Sequence, residues 1–110
     1  MNENHVKEHV RSLFGKKLYT LDRKKPFSVN SIKGNIILIT TSTGKPRNVP
    51  LQGTIDAYIH IQKLGELTRA EIRDQNYSAW NPAYIAAILA SFPEIDYTTK
   101  PIRLFKKPKA

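Results

Sequence analysis

The chain has 110 residues, of which 18 are Lys or Arg and 9 are Asp or Glu, so its formal net charge is +9. This length favours one domain with a single core, and a hydrophobic content of 40% excludes a chain that is disordered throughout. The absence of cysteine excludes a disulfide framework, a thiolate metal site and a cysteine nucleophile. The excess of positive charge favours an anionic partner.

No segment has the length or the pattern of a membrane span or of a secretion signal. The longest apolar stretches, residues 35–39 and 83–90, are far shorter than the roughly 20 residues that cross a bilayer. The first residues lack the basic region followed by an apolar region that marks a signal peptide. We therefore expect a cytoplasmic protein without a membrane partner.

The first half of the chain predicts a short helix followed by a small antiparallel β-meander. Apolar residues recur at helical spacing before Gly15, so residues 5–14 are predicted to be helical. Residues 36–39 are apolar on both faces, as expected for a central strand. Four β-branched or aromatic runs, separated by turn-forming segments, are the predicted strands: residues 18–21, 27–32, 36–41 and 47–51.

In the second half, the apolar spacing changes to that of helices. Thr54 is predicted to cap a helix over residues 54–64 that stops at Gly65. Thr68 and Glu71 match a capping box, in which each side chain accepts a hydrogen bond from the backbone of the other residue. This pattern predicts the start of a second, short helix.

A third helix and a hairpin are predicted to complete the chain. Asn81 followed by Pro82 is an N-cap with proline at the first helical position. Residues 95–97 and 102–105 are β-like and compatible with a hairpin. The predicted organisation is one compact domain over residues 1–105, with the helix and meander in 5–53, the helical part in 54–105 and a disordered basic tail in 106–110.

Residues 67–73, 78–90 and 97–105 follow the order of a short capped helix, a further helix and a hairpin. In this order the chain resembles a winged helix-turn-helix. With Lys24-Lys25-Pro26-Phe27 and Ser42-Thr43-Gly44-Lys45-Pro46-Arg47, it is also similar to small domains that accompany bacterial restriction-type endonucleases. The implied fold class is α+β, with an N-terminal helix and a β-meander before a three-helix winged helix-turn-helix and a C-terminal β-hairpin. The implied function is binding of duplex DNA for a restriction or regulatory system, with a nuclease or another protein as a further partner.

Positive charge is segregated along the chain. Residues 1–54 carry ten basic and three acidic side chains, residues 55–99 carry three and six, and residues 100–110 carry five and none. Such a surface can neutralise several phosphates, although charges around hairpins can also serve only to keep a protein in solution. The predicted nucleic-acid-binding residues are Lys24, Lys25, Lys45, Arg47, Arg69, Arg73, Ser78, Trp80, Asn81, Tyr84, Lys100 and Arg103.

These residues differ in the contacts that they can make. Arg69 and Arg73 share a helix face, where they either straddle phosphates or pair with neighbouring acids. Trp80 is expected either to stack on a base or to pack on the third helix as a hydrophobic staple. After Asn81 this helix offers no Arg, Lys, Asn or Gln to reach base edges. The alanines of residues 83–90 therefore either pack on another helix or allow close approach to DNA.

Catalysis is not predicted, because the acidic residues do not cluster as a nuclease metal site requires, and no known catalytic motif is present. We therefore predict no catalytic residues, no metal and no cofactor. Two further functions remain open. One is a protein-interaction adaptor whose alanine-rich helix packs on a partner. The other is binding of RNA or single strands through the basic meander and Tyr19.

Overall fold

The computed structural model describes residues 2–21, 23–74 and 82–107, without the side chains of Asn2, Arg73 and Pro82. Helix α1, Asn2–Ser12, is the predicted N-terminal helix, and it buries Val6 and Val10 against the rest of the molecule. It begins earlier than predicted and ends before Phe14. Phe14 instead forms an isolated parallel bridge with Val29, because the chain already turns toward the first sheet at this point.

The first sheet is a four-stranded antiparallel meander, as predicted. Its strands are β1 (Lys17–Tyr19), β2 (Pro26–Lys33), β3 (Ile36–Thr40) and β4 (Pro46–Pro50), in the order β1-β2-β3-β4. Ile37 and Ile39 on β3 are fully buried, whereas Ile36 is 37% exposed. The strand is internal but only one of its faces is covered by helices. On the other face Ile36 is exposed and Leu38 and Thr40 are partly exposed, so among the described residues this face is open to solvent.

The second half contains three helices and a second antiparallel sheet. Its elements are α2 (Leu51–Leu64), β5 (Glu66–Thr68), α3 (Arg69–Asp74), α4 (Pro82–Ala90), β6 (Ile95–Thr99) and β7 (Ile102–Lys106). The second sheet has the order β5-β7-β6. The predicted helices and the C-terminal hairpin of β6 and β7 are therefore present in this α+β fold. Strand β5 was not predicted.

The start of α2 differs from the prediction that Thr54 caps it. Pro50 occupies the cap position, and Thr54 is fully buried, donating its hydroxyl to the Pro50 carbonyl at 2.9 Å. The cap comes from Asn35 in the turn between β2 and β3. Its carbonyl oxygen accepts the Leu51 N–H at 3.0 Å, and its Oδ1 accepts the Gln52 N–H at 2.9 Å. A residue distant in sequence thus satisfies the free N–H groups of this helix.

Two of the other helix-end signals are confirmed, and the predicted cap at Asn81 lies outside the described residues. Gly65 has φ 87° and donates its N–H to the Ile61 carbonyl at 2.8 Å, which ends α2. The Thr68 N–H donates to Glu71 Oε1 at 3.0 Å, and the Glu71 N–H donates to Thr68 Oγ1 at 3.1 Å. This reciprocal pair is the predicted capping box at the start of α3.

Helices α2 and α4 contact strands of both sheets and therefore lie between them. All residues from Ile85 to Leu89 on α4 are buried, as expected for a helix that is apolar on every side. Strand β7 extends past residue 105, where the basic tail was predicted to begin. Lys106 is the last residue of β7, and the Lys107 N–H donates to the Glu94 carbonyl at 3.0 Å.

Candidate nucleic-acid interface

Four of the predicted phosphate contacts lie at one end of the first sheet, which we call the basic end: Lys24, Lys25, Lys45 and Arg47. In an antiparallel meander, the turn between β1 and β2 and the turn between β3 and β4 lie at the same end. Lys24 and Lys25 belong to the first turn, Lys45 ends the second, and Arg47 follows on β4. All four side chains are exposed.

The first turn of the basic end is held by Thr20, which is 6% exposed. Its N–H donates to the Lys25 carbonyl, its carbonyl accepts the Lys24 N–H, and its Oγ1 accepts the Lys25 N–H, each at 3.0 Å. Lys24 adopts a left-handed conformation, with φ 55°. Thr20 was not singled out from the sequence, although Ser and Thr in turns commonly bond to the backbone nearby.

The second turn is closed by backbone hydrogen bonds. The Thr41 N–H donates to the Lys45 carbonyl and the Gly44 N–H donates to the Thr41 carbonyl, each at 2.9 Å. Gly44 has φ 81°, a conformation that favours glycine. On β4, Arg47 donates from Nη1 to the carbonyl of its neighbour Pro46 at 3.2 Å. Both turns therefore present their cations from a fixed backbone.

The basic end adjoins the C-terminal hairpin. Lys24 Nζ lies 5.8 Å from the centre of the Tyr97 ring on β6, within the range of a cation–π contact. Lys100 is exposed in the turn of the same hairpin. The basic end of the first half of the chain therefore lies against the hairpin that carries Lys100.

Arg103 is placed less simply than predicted. Its Nε lies 3.3 Å from Glu66 Oε2, and its guanidinium carbon lies 5.6 Å from the centre of the Phe105 ring. The register puts Arg103 on one face of the second sheet with Glu66 and Asp96, so this face carries both signs of charge. A phosphate would have to compete with Glu66 for the guanidinium.

The remaining predicted contacts lie on α3 and α4 or fall outside the described residues. Arg69 is exposed at the start of α3, beside an open cleft of about 340 Å³ that Thr99 and Ile102 also line. Tyr84 is half-buried, and its ring packs edge-on against Phe27 of β2 at 5.0 Å. Predicted contacts outside the described residues and side chains are Arg73, Ser78, Trp80 and Asn81.

The alanines of α4 differ in burial along the helix. Ala86 is fully buried and Ala87 is 4% exposed, so for these two alanines the interpretation that they pack within the protein is confirmed, whereas Ala83 and Ala90 are half-buried. The sequence could not distinguish these roles, because alanine suits any close contact between helices, strands or ligands.

A second polar cluster joins α1 to the segment between α4 and β6. Glu94 Oε2 accepts hydrogen bonds from His5 Nε2 and from the Tyr58 hydroxyl, each at 2.6 Å. His9 Nε2 lies 2.8 Å from Ser91 Oγ, and its ring stacks on Phe92 at 3.9 Å. Ser91 Oγ donates its own proton to the Ile88 carbonyl, so it is not arranged as a nucleophile activated by His9.

The pKa shifts in this cluster arise from burial and from hydrogen bonds within the cluster. Burial lowers the pKa of His9, partly opposed by the charge of Glu94. Burial and the hydrogen bond to Glu94 raise the pKa of the Tyr58 hydroxyl. Among the residues that the structure describes, no three His, Asp or Glu side chains are arranged to hold a metal ion. Within the same residues, no helix has the length and apolarity to cross a membrane.

The basic end is a surface that can bind anions. Residues 16–50 carry eight basic side chains and one acidic residue, Asp22. Among the described residues, Lys25, Lys45 and Arg47 make no ion pair with a carboxylate. Their charge is thus available to a ligand. No protein-family model, curated protein or solved structure matches this chain.

Proposed function

We propose that this protein is a non-catalytic DNA-binding module that holds the phosphates of duplex DNA at the basic end and along the adjoining C-terminal hairpin. The observation that carries the proposal is the contact of Lys24 with Tyr97, which places the exposed cations of the basic end beside the C-terminal hairpin. Cations on a fixed backbone release counterions from DNA without the cost of ordering a flexible loop.

The connectivity of residues 51–106 supports a winged-helix arrangement. A helix, a short strand, two helices and a hairpin follow one another, and β5 pairs with β7 so that the hairpin is fixed to the helices. The burial of α4 changes the expected mechanism, because a helix between two sheets cannot enter the major groove along its length. The module would bind mainly to the phosphate backbone of the DNA, with little discrimination between DNA sequences.

In this proposal the module binds the DNA backbone and catalyses no reaction itself. On the resemblance of its sequence pattern to small domains that accompany restriction-type endonucleases, the module would present DNA to a nuclease or a regulatory protein. Such a partner would supply the catalytic or regulatory step, and this chain would supply the affinity for duplex DNA.

The test is the salt dependence of duplex binding in two variants of equal charge. The first is K25A/K45A/R47A, which removes three cations of the basic end and leaves the Lys24–Tyr97 contact intact. The control is R11A/K33A/K63A, which removes three exposed cations from α1, the opposite end of the first sheet and α2. Fluorescence anisotropy of a labelled duplex of mixed sequence would give the dissociation constant at each salt concentration.

Each phosphate contact contributes about 0.9 to the slope of log K against log salt, so loss of three contacts reduces the slope by about 2.7. We expect this reduction in K25A/K45A/R47A and the original slope in the control. Equal reductions in the two variants would show that binding follows net charge alone. Absence of a complex at about 0.15 M salt, where long-range attraction is screened, would refute the proposal.

A further inference from the structure

The open face of the first sheet carries an exposed aromatic ring beside the basic end. In the register of β1 and β2, Leu18 pairs with Phe27, which is 2% exposed and faces the core. Because side chains alternate along a strand, Tyr19 lies on the opposite, solvent-facing side. Its side chain is 52% exposed, more than any other Tyr or Phe among the described residues.

The neighbours of Tyr19 leave its ring accessible. Its cross-strand partner is Pro26, and the next pairs on the same face join Lys17 to Ser28 and Ser28 to Thr40. These neighbours are small apart from Lys17. Strands β1 to β4 contain no Asp or Glu, so no carboxylate of the sheet itself opposes an anion here.

Tyr19 is also close to the cations that hold phosphates in the proposed function. The Tyr19–Pro26 pair is the last of the β1–β2 ladder before the turn, and Lys25 is the residue next to Pro26. Thr20, which follows Tyr19, makes the hydrogen bonds that hold Lys24 and Lys25. The aromatic ring and the cations are therefore fixed on one short piece of backbone.

An intact duplex does not provide a partner for this ring. Its bases are already stacked on one another, and their faces are hidden inside the helix. An unpaired nucleotide exposes the face of its base, which stacks on an aromatic side chain with little dependence on sequence. The phosphates on either side of such a nucleotide carry the charge that Lys17 and the basic end complement.

We propose that Tyr19 stacks on an unpaired base next to the phosphates held at the basic end, so that the preferred ligand is DNA with a single-stranded extension. This inference rests on the proposed function and specifies its ligand. The duplex binds the cations, and the first unpaired nucleotide lies on the open face of the first sheet.

The test compares a blunt duplex with the same duplex carrying a short single-stranded extension, at constant salt. For the original chain we expect the extension to increase affinity about tenfold, within the range measured for one base stacked on an aromatic side chain. Tyr19→Phe retains the ring and is expected to keep this increase. Tyr19→Leu retains an apolar side chain without a ring, and is expected to abolish the increase while leaving blunt-duplex affinity unchanged.

A fluorescent base analogue in the extension gives an independent readout of stacking. Its emission is expected to be quenched by the original chain and by Tyr19→Phe, but not by Tyr19→Leu. Equal affinity for blunt and extended duplexes, or an increase that survives in Tyr19→Leu, would overturn this inference alone. Failure of the original chain to bind either duplex would overturn the proposed function as well.

Discussion

At the scale of single residues, Thr20 has a larger structural role than its place in a polar turn indicates. It is buried, and its backbone and hydroxyl together bind both Lys24 and Lys25. Without the hydroxyl, the Lys25 N–H would lose its partner in a partly buried position. The conformation of two cations at the basic end therefore depends on one side-chain oxygen.

Replacement of Thr20 by Val tests this dependence, because Val has nearly the same shape but no hydroxyl. We expect the free energy of unfolding to fall by about 1 to 2 kcal/mol, as for a hydrogen bond whose donor is left without a partner. Urea denaturation followed by circular dichroism measures the change. Thr43→Val, at an exposed position of the other turn, is the matched control and should change stability by less than about 0.5 kcal/mol. Equal effects would contradict a special role for Thr20.

At the scale of elements, α4 shows how tertiary packing decides a role that sequence leaves open. Its apolar residues at helical spacing indicated a buried stripe, and its alanines were compatible with either a protein or a DNA neighbour. In the structure the helix lies between two sheets, so Ala86 and Ala87 are as buried as the larger residues beside them. Small side chains here permit close packing on both sides of the helix.

The middle-layer position of α4 predicts a large cost for added volume. Ala87→Leu is expected to lower the free energy of unfolding by about 1 to 3 kcal/mol, because tightly packed interiors do not absorb extra methylene groups. Ala70→Leu adds the same atoms to an exposed position on α3 and should be close to neutral. Thermal unfolding of the two variants distinguishes these cases. A stable Ala87→Leu protein would contradict the burial of this helix.

Sequence signals correctly predicted the helix ends that are stabilised by residues close in sequence. The capping box of Thr68 and Glu71 and the stop at Gly65 use residues a few positions apart, and both were predicted correctly. Strand β5 could not be predicted in this way. It is three residues long, and Glu66 pairs with Phe105, far along the chain. The start of α2 was misplaced for the same reason, because its cap is Asn35 from another turn.

At the scale of the whole molecule, the distribution of charge was predictable but its geometry was not. Counts along the sequence located the excess of cations in the first half. The meander topology then places two of its turns at one end of a sheet, and packing brings that end to the C-terminal hairpin. A count of charges along the sequence gives neither the common position of the two turns nor the contact between the two halves of the chain. Exposure of Tyr19 on the open sheet face likewise depends on the strand register.

The contact between α1 and the rest of the molecule depends on titratable groups and is therefore sensitive to pH. Burial lowers the pKa of His9 from 6.5, with Glu94 opposing the shift and His5 and Lys16 adding to it. Neutral His9 is favoured in the folded state, so its contribution is present above pH 6.5 and is lost as pH falls through the lower folded pKa. The contribution of Glu94 to stability is lost at lower pH. Burial opposes the shift, but hydrogen bonds from Tyr58 and His5 lower its pKa from 4.5.

The stability of the protein is thus expected to fall in two stages on acidification, first below pH 6.5 and again below pH 4.5. His9→Gln removes the first titrating group and should flatten the first stage while leaving the second. Glu94→Gln removes the second group and should flatten the acid end, with lower stability at neutral pH because a neutral amide accepts weaker hydrogen bonds from Tyr58 and His5 than a carboxylate does. Urea denaturation at closely spaced pH values gives both profiles. An unchanged first stage in His9→Gln would show that the lost stability arises elsewhere, because the other groups facing His9 remain in place in that variant.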